Sequence, residues 1–247
     1  AIVVRIQDTL GCFAYDTAWI KANPLPTFIA PPNTNICKGQ SQVLRIDSIK
    51  GTAPHIIRWN GVVASSTYTV SPQQTTNYTI VVSDSNLCAT VQTIRVIVFN
   101  SPVVDLGLDR TVCKNQQINA NAFIIGGQQP YSYLWSDGST GTSITKTVNS
   151  PQSFSVRVTD DNGCIDRDTI SFSVFPTQKA TLTPIGTLCE NDPPIGLKAI
   201  PNTGVWSGSG VNTNLFIPQL AKKGKQYIKY EFLSVDNCPE KDSIFVN

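Results

Sequence analysis

Cysteine is the residue type whose spacing in this chain carries the clearest chemical pattern. Seven cysteines fall into two series that recur along 247 residues. The first series is Cys37, Cys113 and Cys189, with a constant spacing of 76 (113 − 37 and 189 − 113). The second series is Cys12, Cys88, Cys164 and Cys238, with spacings of 76, 76 and 74 (88 − 12, 164 − 88 and 238 − 164). A fixed spacing of this kind, called the repeat period below, is typical of a repeat protein.

Disulfide bonds within each repeat are the chemistry that this spacing predicts. Sequence normally leaves connectivity open, but equivalent repeats should form equivalent bonds. The predicted pairs are Cys37–Cys88, Cys113–Cys164 and Cys189–Cys238, with separations of 51, 51 and 49 (88 − 37, 164 − 113 and 238 − 189). Each bond would contribute roughly 4 kcal/mol in the chain-entropy model, and would imply an oxidising, extracytoplasmic location. Reduced thiols or metal ligands are the alternatives, which the absence of any CxxC disfavours.

Cys12 has no partner under this rule, because its partner would lie before residue 1. We therefore expect the sequence to begin halfway through a repeat and to be a segment of a longer mature protein. Assembly is a further possibility, in which strands of another copy complete the first half-repeat.

Catalytic groups are sparse. His55 is the only histidine, and Tyr131 stands one period later, so the repeat does not preserve it. The sequence contains no nucleophile–base constellation and no phosphate-binding loop. We expect no enzymatic activity and no cofactor.

Four aspartates offer carboxylates for Ca²⁺ at a domain junction. They are Asp105, Asp109, Asp160 and Asp161. Asp also caps turns by accepting hydrogen bonds from nearby amides. Asp84 lies one period before Asp160, and Asp8 lies two periods before it. This recurrence favours turns, so we predict no metal site.

Tryptophan and lysine give two candidate binding surfaces. The tryptophans are Trp19, Trp59, Trp135 and Trp206, and a basic cluster contains Lys222, Lys223, Lys225 and Lys229. Trp59 and Trp135 follow their first-series cysteines at the same spacing of 22 (59 − 37 and 135 − 113), which favours a core position. We interpret the lysines as a solvated hairpin, and a sugar-stacking platform is the alternative for the aromatic residues.

The repeats must position the cysteines, tryptophans and lysines, and the composition of the repeats favours strands. Val, Ile, Thr and Ser are abundant, and the formal net charge of +2 is too small to imply nucleic acid or an anionic membrane as a partner. Apolar runs are too short for a membrane span.

Boundaries at Pro-containing junctions predict a truncated repeat at 1–24, a first repeat at 25–100, a second at 101–176 and a divergent third at 177–247.

Alternating stretches predict antiparallel strands within each repeat. In "DTISFSVF" the residues Ile170, Phe172 and Val174 alternate with serines, and "TIRVIVF" repeats the pattern one period earlier. A Trp between two cysteines and about seven strands per repeat predict an all-β fold of tandem immunoglobulin-like sandwiches, with one disulfide per repeat.

The segments "VDLGLDRTVCKNQ", "YSYLWSDGSTG" and "VRVTDDNGC" resemble PKD-like and SprB-type repeats of giant secreted Bacteroidota proteins. The segment "GVWSGSGV" resembles another repeat variant of the same proteins. The resemblance covers nearly the whole chain. It implies an extracellular or outer-surface adhesin, exported by type IX secretion and often linked to gliding motility.

A second resemblance concerns Asp followed by Ser or Thr and a small or aliphatic residue, which is similar to the O-glycosylation sequon of exported Bacteroidota proteins. The candidate acceptors are Thr9, Thr17, Ser48, Thr169 and Ser243. Ordinary strand composition, with hydroxyls facing solvent, is the alternative.

These inferences predict a non-enzymatic stalk segment of a cell-surface or secreted adhesin or filament, which spaces binding domains away from the cell. Its expected partners are neighbouring repeats of the same longer chain, with surface polysaccharide or other copies in a filament as further candidates. Nucleic acid is not an expected partner. The alternatives are polysaccharide-binding repeats and spacer domains of a large secreted hydrolase.

Overall fold

The computed structural model describes all 247 residues, which form strands, turns and one 3-10 turn. The chain divides into two compact units. The first unit contains Ala1–Pro102 with the loop segments Gly126–Pro130 and Asp160–Cys164. The second unit contains Val103–Ile125, Tyr131–Thr159 and Ile165–Asn247. The boundaries proposed from the sequence at 24, 100 and 176 remain a prediction.

The leading segment is a hairpin of β1 (Ile2–Gln7) and β2 (Phe13–Ala18). Every residue of both strands is exposed. Ile2, Val4 and Ile6 lie on one face because side chains alternate along a strand. The residues two periods later, Phe154 and Val156 among them, are buried. The hairpin thus carries the core face of a repeat without a covering sheet.

The first repeat contributes nine strands to the first unit. They are β3 (Thr27–Ile29), β4 (Thr34–Cys37), β5 (Gln42–Arg45), β6 (Asp47–Lys50), β7 (Ile56–Trp59), β8 (Val62–Val63), β9 (Thr67–Val70), β10 (Thr76–Ser83) and β11 (Ala89–Phe99). One sheet has the order β4-β11-β10-β7-β8, and the pairs β3-β6 and β5-β9 form the remaining sheets. β4 runs parallel to β11, while β10 is antiparallel to both β11 and β7. An early strand parallel to the last strand is the arrangement of an immunoglobulin-like sandwich.

The second repeat has the same arrangement in eight strands. They are β12 (Pro102–Asp105), β13 (Arg110–Val112), β14 (Gln116–Asn121), β15 (Phe123–Gly126), β16 (Ser132–Trp135), β17 (Ser143–Val148), β18 (Gln152–Thr159) and β19 (Ile165–Val174). The main sheet has the order β13-β19-β18-β16, again with β13 parallel to β19. Asp166 and Asp168 on β19 accept hydrogen bonds from the Val104 and Leu106 amides at 2.8 and 2.7 Å, which hold the chain around β12 in place.

The third repeat is built from shorter strands. They are β20 (Thr181–Leu182), β21 (Ile195–Gly196), β22 (Ala199–Ile200), β23 (Val205–Ser207), β24 (Val211–Asn212), β25 (Leu215–Phe216), β26 (Gln226–Leu233) and β27 (Pro239–Val246), with a 3-10 turn at Pro218–Leu220. Its sheets are β23-β26-β27, β21-β25-β24 and β20-β22. The all-β fold of tandem immunoglobulin-like sandwiches predicted from the sequence is confirmed.

A buried tryptophan marks the same position in each of the three hydrophobic cores. In the antiparallel register, Trp59 lies opposite Ile80 on β10, Trp135 opposite Val156 on β18, and Trp206 opposite Tyr230 on β26. These tryptophans are 0, 2 and 6% exposed, so the predicted core position of Trp59 and Trp135 is confirmed. Trp206 occupies the equivalent site although its spacing from Cys189 differs from that in the other repeats.

Tyr230 fixes a tight corner in the third repeat. Its hydroxyl donates to the Pro201 carbonyl at 2.6 Å and accepts from the Gly204 amide at 2.7 Å. A Cβ atom at residue 204 would lie against the Glu231 carbonyl oxygen and 2.7 Å from the Tyr230 hydroxyl. Glycine is required there because the backbone oxygen cannot move aside.

We expect Gly204→Ala to lower the free energy of unfolding of the third repeat by about 1–3 kcal/mol, the usual cost of overpacking. Gly196→Ala is the matched control, because a Cβ atom at that position meets nothing within 4 Å. Thermal unfolding of both variants checks this, and equal midpoints for Gly204→Ala and the parent protein would contradict it.

Candidate functional site

Two disulfide bonds are present, and each joins one repeat to the next. Cys37 is bonded to Cys164, and Cys113 to Cys238, with sequence separations of 127 and 125 residues. The first bond lies within the first unit and the second bond within the second unit. In both, a first-series cysteine is bonded to the second-series cysteine of the following repeat.

The predicted pairing within each repeat is therefore wrong. Cys37 lies beside Phe99, the last residue of β11, whereas Cys88 directly precedes the first residue of that strand. β11 has 11 residues, and at roughly 3.3 Å per residue it separates the two cysteines by about 36 Å. A disulfide needs Cα atoms within about 7 Å. The two series thus lie at opposite ends of each sandwich.

Three cysteines are unpaired, and the sequence predicts disulfides for two of them. Cys88 is partly exposed, and Cys189 and Cys12 are exposed. The predicted disulfides of Cys88 and Cys189 are wrong, because their predicted partners, Cys37 and Cys238, are bonded to Cys164 and Cys113. Cys12 is unpaired in the structure and in the sequence-based scheme.

Every second-series cysteine ends the same type of hairpin turn. In the turn before Cys164, the Asp160 carboxylate accepts from the Cys164 amide at 2.7 Å, and the Asp160 amide donates to the Cys164 carbonyl at 2.9 Å. Asp8 and Asp84 make the same contacts with Cys12 and Cys88. The turn aspartates therefore act as caps, which orient the cysteine at the tip of the hairpin.

The hairpin that carries Cys164 is braced by a second loop of the first unit. The other oxygen of Asp160 accepts from the Gln128 amide at 3.0 Å, and the Asp161 amide donates to the Gln128 carbonyl at 2.9 Å. Gly127 has a φ of +70°, and a Cβ atom there would lie 3.0 Å from Pro102. This close packing buries the bonded cysteine, since Cys164 is 0% exposed.

First-series cysteines also share a local geometry. The amides of Cys37 and Cys113 donate to the side-chain carbonyls of Gln40 and Gln116, at 3.0 and 2.9 Å. The Cys189 amide donates to Asp192 at 2.7 Å in the corresponding turn. The three first-series cysteines therefore share the same backbone turn, although Cys37 is buried and Cys189 is exposed.

The hairpin before Cys88 contains a strained residue. Leu87 has a φ of +64°, where the other three hairpins place Gly11, Gly163 and Asn237. A left-handed backbone costs a residue with a Cβ atom about 1–2 kcal/mol, and the Leu87 side chain is 86% exposed, so it gains little from burial.

We expect Leu87→Gly to raise the free energy of unfolding of the first repeat by up to about 1 kcal/mol. Asn86→Gly is the control, because Asn86 does not have a positive φ and gains no relief from strain. Urea unfolding measures both variants. A destabilised Leu87→Gly protein would show that the leucine contributes a contact absent from this geometry.

The calcium candidates are engaged in backbone hydrogen bonds. Asp105 accepts from the Gly107 amide and Asp109 from the Ser171 amide, both at 2.7 Å. These contacts fit the interpretation of the aspartates as structural caps. His55 packs beside Gly51, at half-buried depth, and its Nε2 atom has no hydrogen-bond partner.

The basic cluster is exposed and only loosely paired. Lys223 lies 3.4 Å from Glu190, and the Lys225 ammonium lies 4.1 Å from the centre of the Phe245 ring. Surface contacts of this kind contribute about 1 kcal/mol or less.

One electrostatic contact in the second repeat is stronger. Lys146 lies 2.6 Å from Asp137 and hydrogen-bonds to it, and the Ser139 amide and hydroxyl add further donors, which together hold the pKa of that carboxyl well below its usual range. The pair closes the turn that follows Trp135. In the first repeat, burial raises the pKa of the Tyr78 hydroxyl, and the neighbouring Tyr68 raises it further.

No protein-family model matches the chain, and no curated protein matches it. Among solved structures, an I-band fragment of titin spanning domains I67–I69 is 15% identical, with a TM-score of 0.40, over 92% of this chain and 99% of that one. A five-domain immunoglobulin fragment of Sidekick-1 is 14% identical, with a TM-score of 0.31, over 92% of this chain and 60% of that one. The chain has no helix that is both long enough and apolar enough to cross a membrane.

Proposed function

We propose that this chain is a non-enzymatic structural segment in the stalk of a cell-surface or secreted adhesin, which spaces binding domains away from the cell. The observation that carries the proposal is the pair of disulfides between successive repeats, Cys37–Cys164 and Cys113–Cys238. Bonds placed in this way give tension a covalent route from repeat to repeat that does not depend on the backbone between them.

The two loops closed by these disulfides overlap, and the overlap shortens the covalent route. Along the backbone, Cys37 and Cys238 are 201 residues apart (238 − 37). Through both sulfur bridges, the route contains only the 51 residues between Cys113 and Cys164 (164 − 113). A stalk with this connectivity extends far less under load than an unbridged chain.

The buried tryptophans favour a spacer over a polysaccharide platform. Sugar stacking requires an exposed aromatic face, and Trp59, Trp135 and Trp206 are all in hydrophobic cores. Trp19 alone is exposed, at 84%. Phe13 and Tyr15 of the leading hairpin are exposed as well, but no aromatic residue stands one or two periods after these three positions, so they do not make a repeated binding surface.

An extracellular setting belongs to the same proposal, because disulfides persist in oxidising compartments. The proposed parent is a PKD-like, SprB-type Bacteroidota adhesin, exported by type IX secretion and associated with gliding. Its proposed partners are neighbouring repeats of the same longer chain. The sequence resemblance supports this assignment, and the order of cysteines and hairpins is consistent with it.

O-glycosylation is the modification that we propose for this surface. The candidate acceptors Thr9, Thr17, Ser48, Thr169 and Ser243 are all exposed. In three of the motifs, the preceding aspartate accepts a hydrogen bond from the acceptor's own amide, at 2.7–2.8 Å. Intact-mass analysis of protein from its native source tests the proposal, and a mass equal to that of the oxidised polypeptide would exclude it.

Pulling the chain from its two ends tests the structural function. When the repeats unfold, the oxidised protein should extend by about 150 residues less than the reduced protein, or roughly 500 Å at the usual rise of an extended chain. Cys88→Ser should behave like the parent protein, since Cys88 is unpaired. Equal extension with and without reductant would overturn the proposal.

A further inference from the structure

The outward face of the third repeat carries an exposed aromatic pair. Tyr227 on β26 lies opposite Phe245 on β27, and the two ring centres are 4.4 Å apart, with the ring planes inclined at 57°. The side chains are 58% and 48% exposed. Their chain neighbours Ile228 and Val246 are buried in the core. Because side chains alternate along a strand, the aromatic pair lies on the solvent side of the sheet and adds nothing to the core.

The fold does not require aromatic residues at these two positions. The pair lies 11 residues before and 7 residues after the second-series cysteine of its repeat (238 − 227 and 245 − 238). At the same spacing, the second repeat has Ser153 and Ser171, and the Ser153 hydroxyl donates to the Ser171 hydroxyl at 3.0 Å. The first repeat has Asn77 opposite Arg95. Polar pairs therefore serve the same sheet positions in both other repeats.

These positions stay accessible in repeats that are followed by another repeat. Asn77 and Arg95 are exposed in the first repeat, although the second repeat follows it. In the second repeat, Ser153 is exposed and Ser171 is half-buried, although the third repeat follows it. A following repeat thus leaves this face of the sheet open, and exposure of the aromatic pair is a property of the face itself.

Positive charge surrounds the aromatic pair. The Lys225 ammonium lies 4.1 Å from the centre of the Phe245 ring, and Lys229 lies two residues after the tyrosine, on the same face of β26. Both lysines are exposed, and neither forms a salt bridge. Glu231, the carboxylate on this face of β26, is already paired with Lys241 at 3.0 Å. The face therefore combines two apolar rings with uncompensated positive charge.

This combination fits a carbohydrate that carries negative charge. A sugar ring has an apolar C–H face that can pack against an aromatic ring, and aromatic side chains offer a large apolar surface for such contacts. Lysine ammonium groups form charge-assisted hydrogen bonds with carboxylates. Single-stranded nucleic acid uses stacking and positive charge as well, but the formal net charge of +2 is small for such a partner.

We propose that this face, called the aromatic face below, binds an acidic polysaccharide. The Tyr227 and Phe245 rings pack against sugar rings, and Lys225 and Lys229 bind the carboxylates of those sugars. The site goes beyond the proposed spacer function, because it gives the segment one point of attachment. It is confined to the third repeat, so it is not the repeated platform that the buried tryptophans disfavour.

The variant Tyr227→Ser/Phe245→Ser tests the rings by introducing the residue pair with which the second repeat folds. Alginate, polygalacturonate and chondroitin sulfate are the probes in affinity electrophoresis, and neutral dextran is the control. We expect the parent protein to bind at least one acidic polysaccharide but not dextran, and the variant to bind about tenfold more weakly. Leu233→Ser is the matched control, since Leu233 is 57% exposed on the same face but about 20 Å from Tyr227 along β26.

The protein for this test is produced without glycosylation, because Ser243, a proposed acceptor, lies opposite Lys229. Lys225→Gln/Lys229→Gln should also weaken binding, and so should added salt, which screens exposed charges. Cross-strand aromatic pairs also stabilise hairpins, so thermal unfolding of each variant shows whether it is folded. The lysine variant tests the aromatic face even if the serine variant is unstable.

Three results would overturn the proposal. They are binding of none of the three acidic polysaccharides, equal binding by the parent protein and both double variants, and tighter binding of single-stranded DNA than of any acidic polysaccharide. The pulling experiment does not involve the aromatic face, so a failure of polysaccharide binding would leave its result unchanged.

Discussion

Cys164→Ser is expected to lower the free energy of unfolding of the oxidised protein by up to about 5 kcal/mol, because the lost bond closes a loop with a sequence separation of 127 residues. Cys88→Ser should change it by less than about 0.5 kcal/mol, since Cys88 is unpaired and partly exposed. Urea unfolding followed by tryptophan fluorescence measures both. The comparison is direct, because the two cysteines occupy equivalent hairpins one period apart.

Reduction supplies the control for this pair of variants. With the disulfides reduced, Cys164→Ser and the parent protein should unfold at nearly the same urea concentration. The double variant Cys37→Ser/Cys164→Ser should match Cys164→Ser in the oxidised state, because both remove the same bond. A large loss in Cys88→Ser, together with a greater loss in the double variant than in Cys164→Ser, would instead support pairing within the repeat, because that scheme bonds Cys37, Cys88 and Cys164 through two different disulfides.

Trp135→Ala is expected to lower the free energy of unfolding of the second repeat by about 3–5 kcal/mol. The side chain is 2% exposed, and its indole N–H donates to the Gly141 carbonyl at 2.7 Å. Truncation would empty the centre of this core and leave that carbonyl without its donor. Thermal unfolding or hydrogen exchange of the amides of β18 and β19 measures the loss.

Trp19→Ala is the matched control, because Trp19 is 84% exposed and its loss should change stability by no more than about 0.5 kcal/mol. Trp135→Phe should fall between the two, since it keeps an aromatic ring but loses the hydrogen bond. If Trp135→Ala and Trp19→Ala had similar effects, the second repeat would not depend on this core.

The sequence was sufficient to predict the all-β sandwich repeats and their tryptophan cores. Alternation in "TIRVIVF" places Ile94 and Val96 on one face, and both are buried in the structure. The spacing from Cys37 to Trp59 recurs in the second repeat because the same strands separate the same positions. Local patterns of this kind follow from the two-residue period of a strand.

Connectivity of the cysteines could not be predicted from spacing alone, because the spacing repeats. Cys88 and Cys164 are both second-series cysteines that follow Cys37, and they differ in position by one repeat period. A bond from Cys37 to either Cys88 or Cys164 would be compatible with equivalent bonds in the other repeats. The information that separates them is the direction and length of β11, which carries the chain from Cys88 to the level of Cys37.

The separation of the two cysteine series also determines when each bond can form during synthesis. A chain that emerges from its N-terminus exposes Cys88 after Cys37 and well before Cys164, so the wrong partner arrives first. Once β4 and β11 have paired, that partner is about 36 Å away. Folding of the first repeat thus prevents the Cys37–Cys88 bond, and the Cys37 thiol stays unpaired until the hairpin of the next repeat is available.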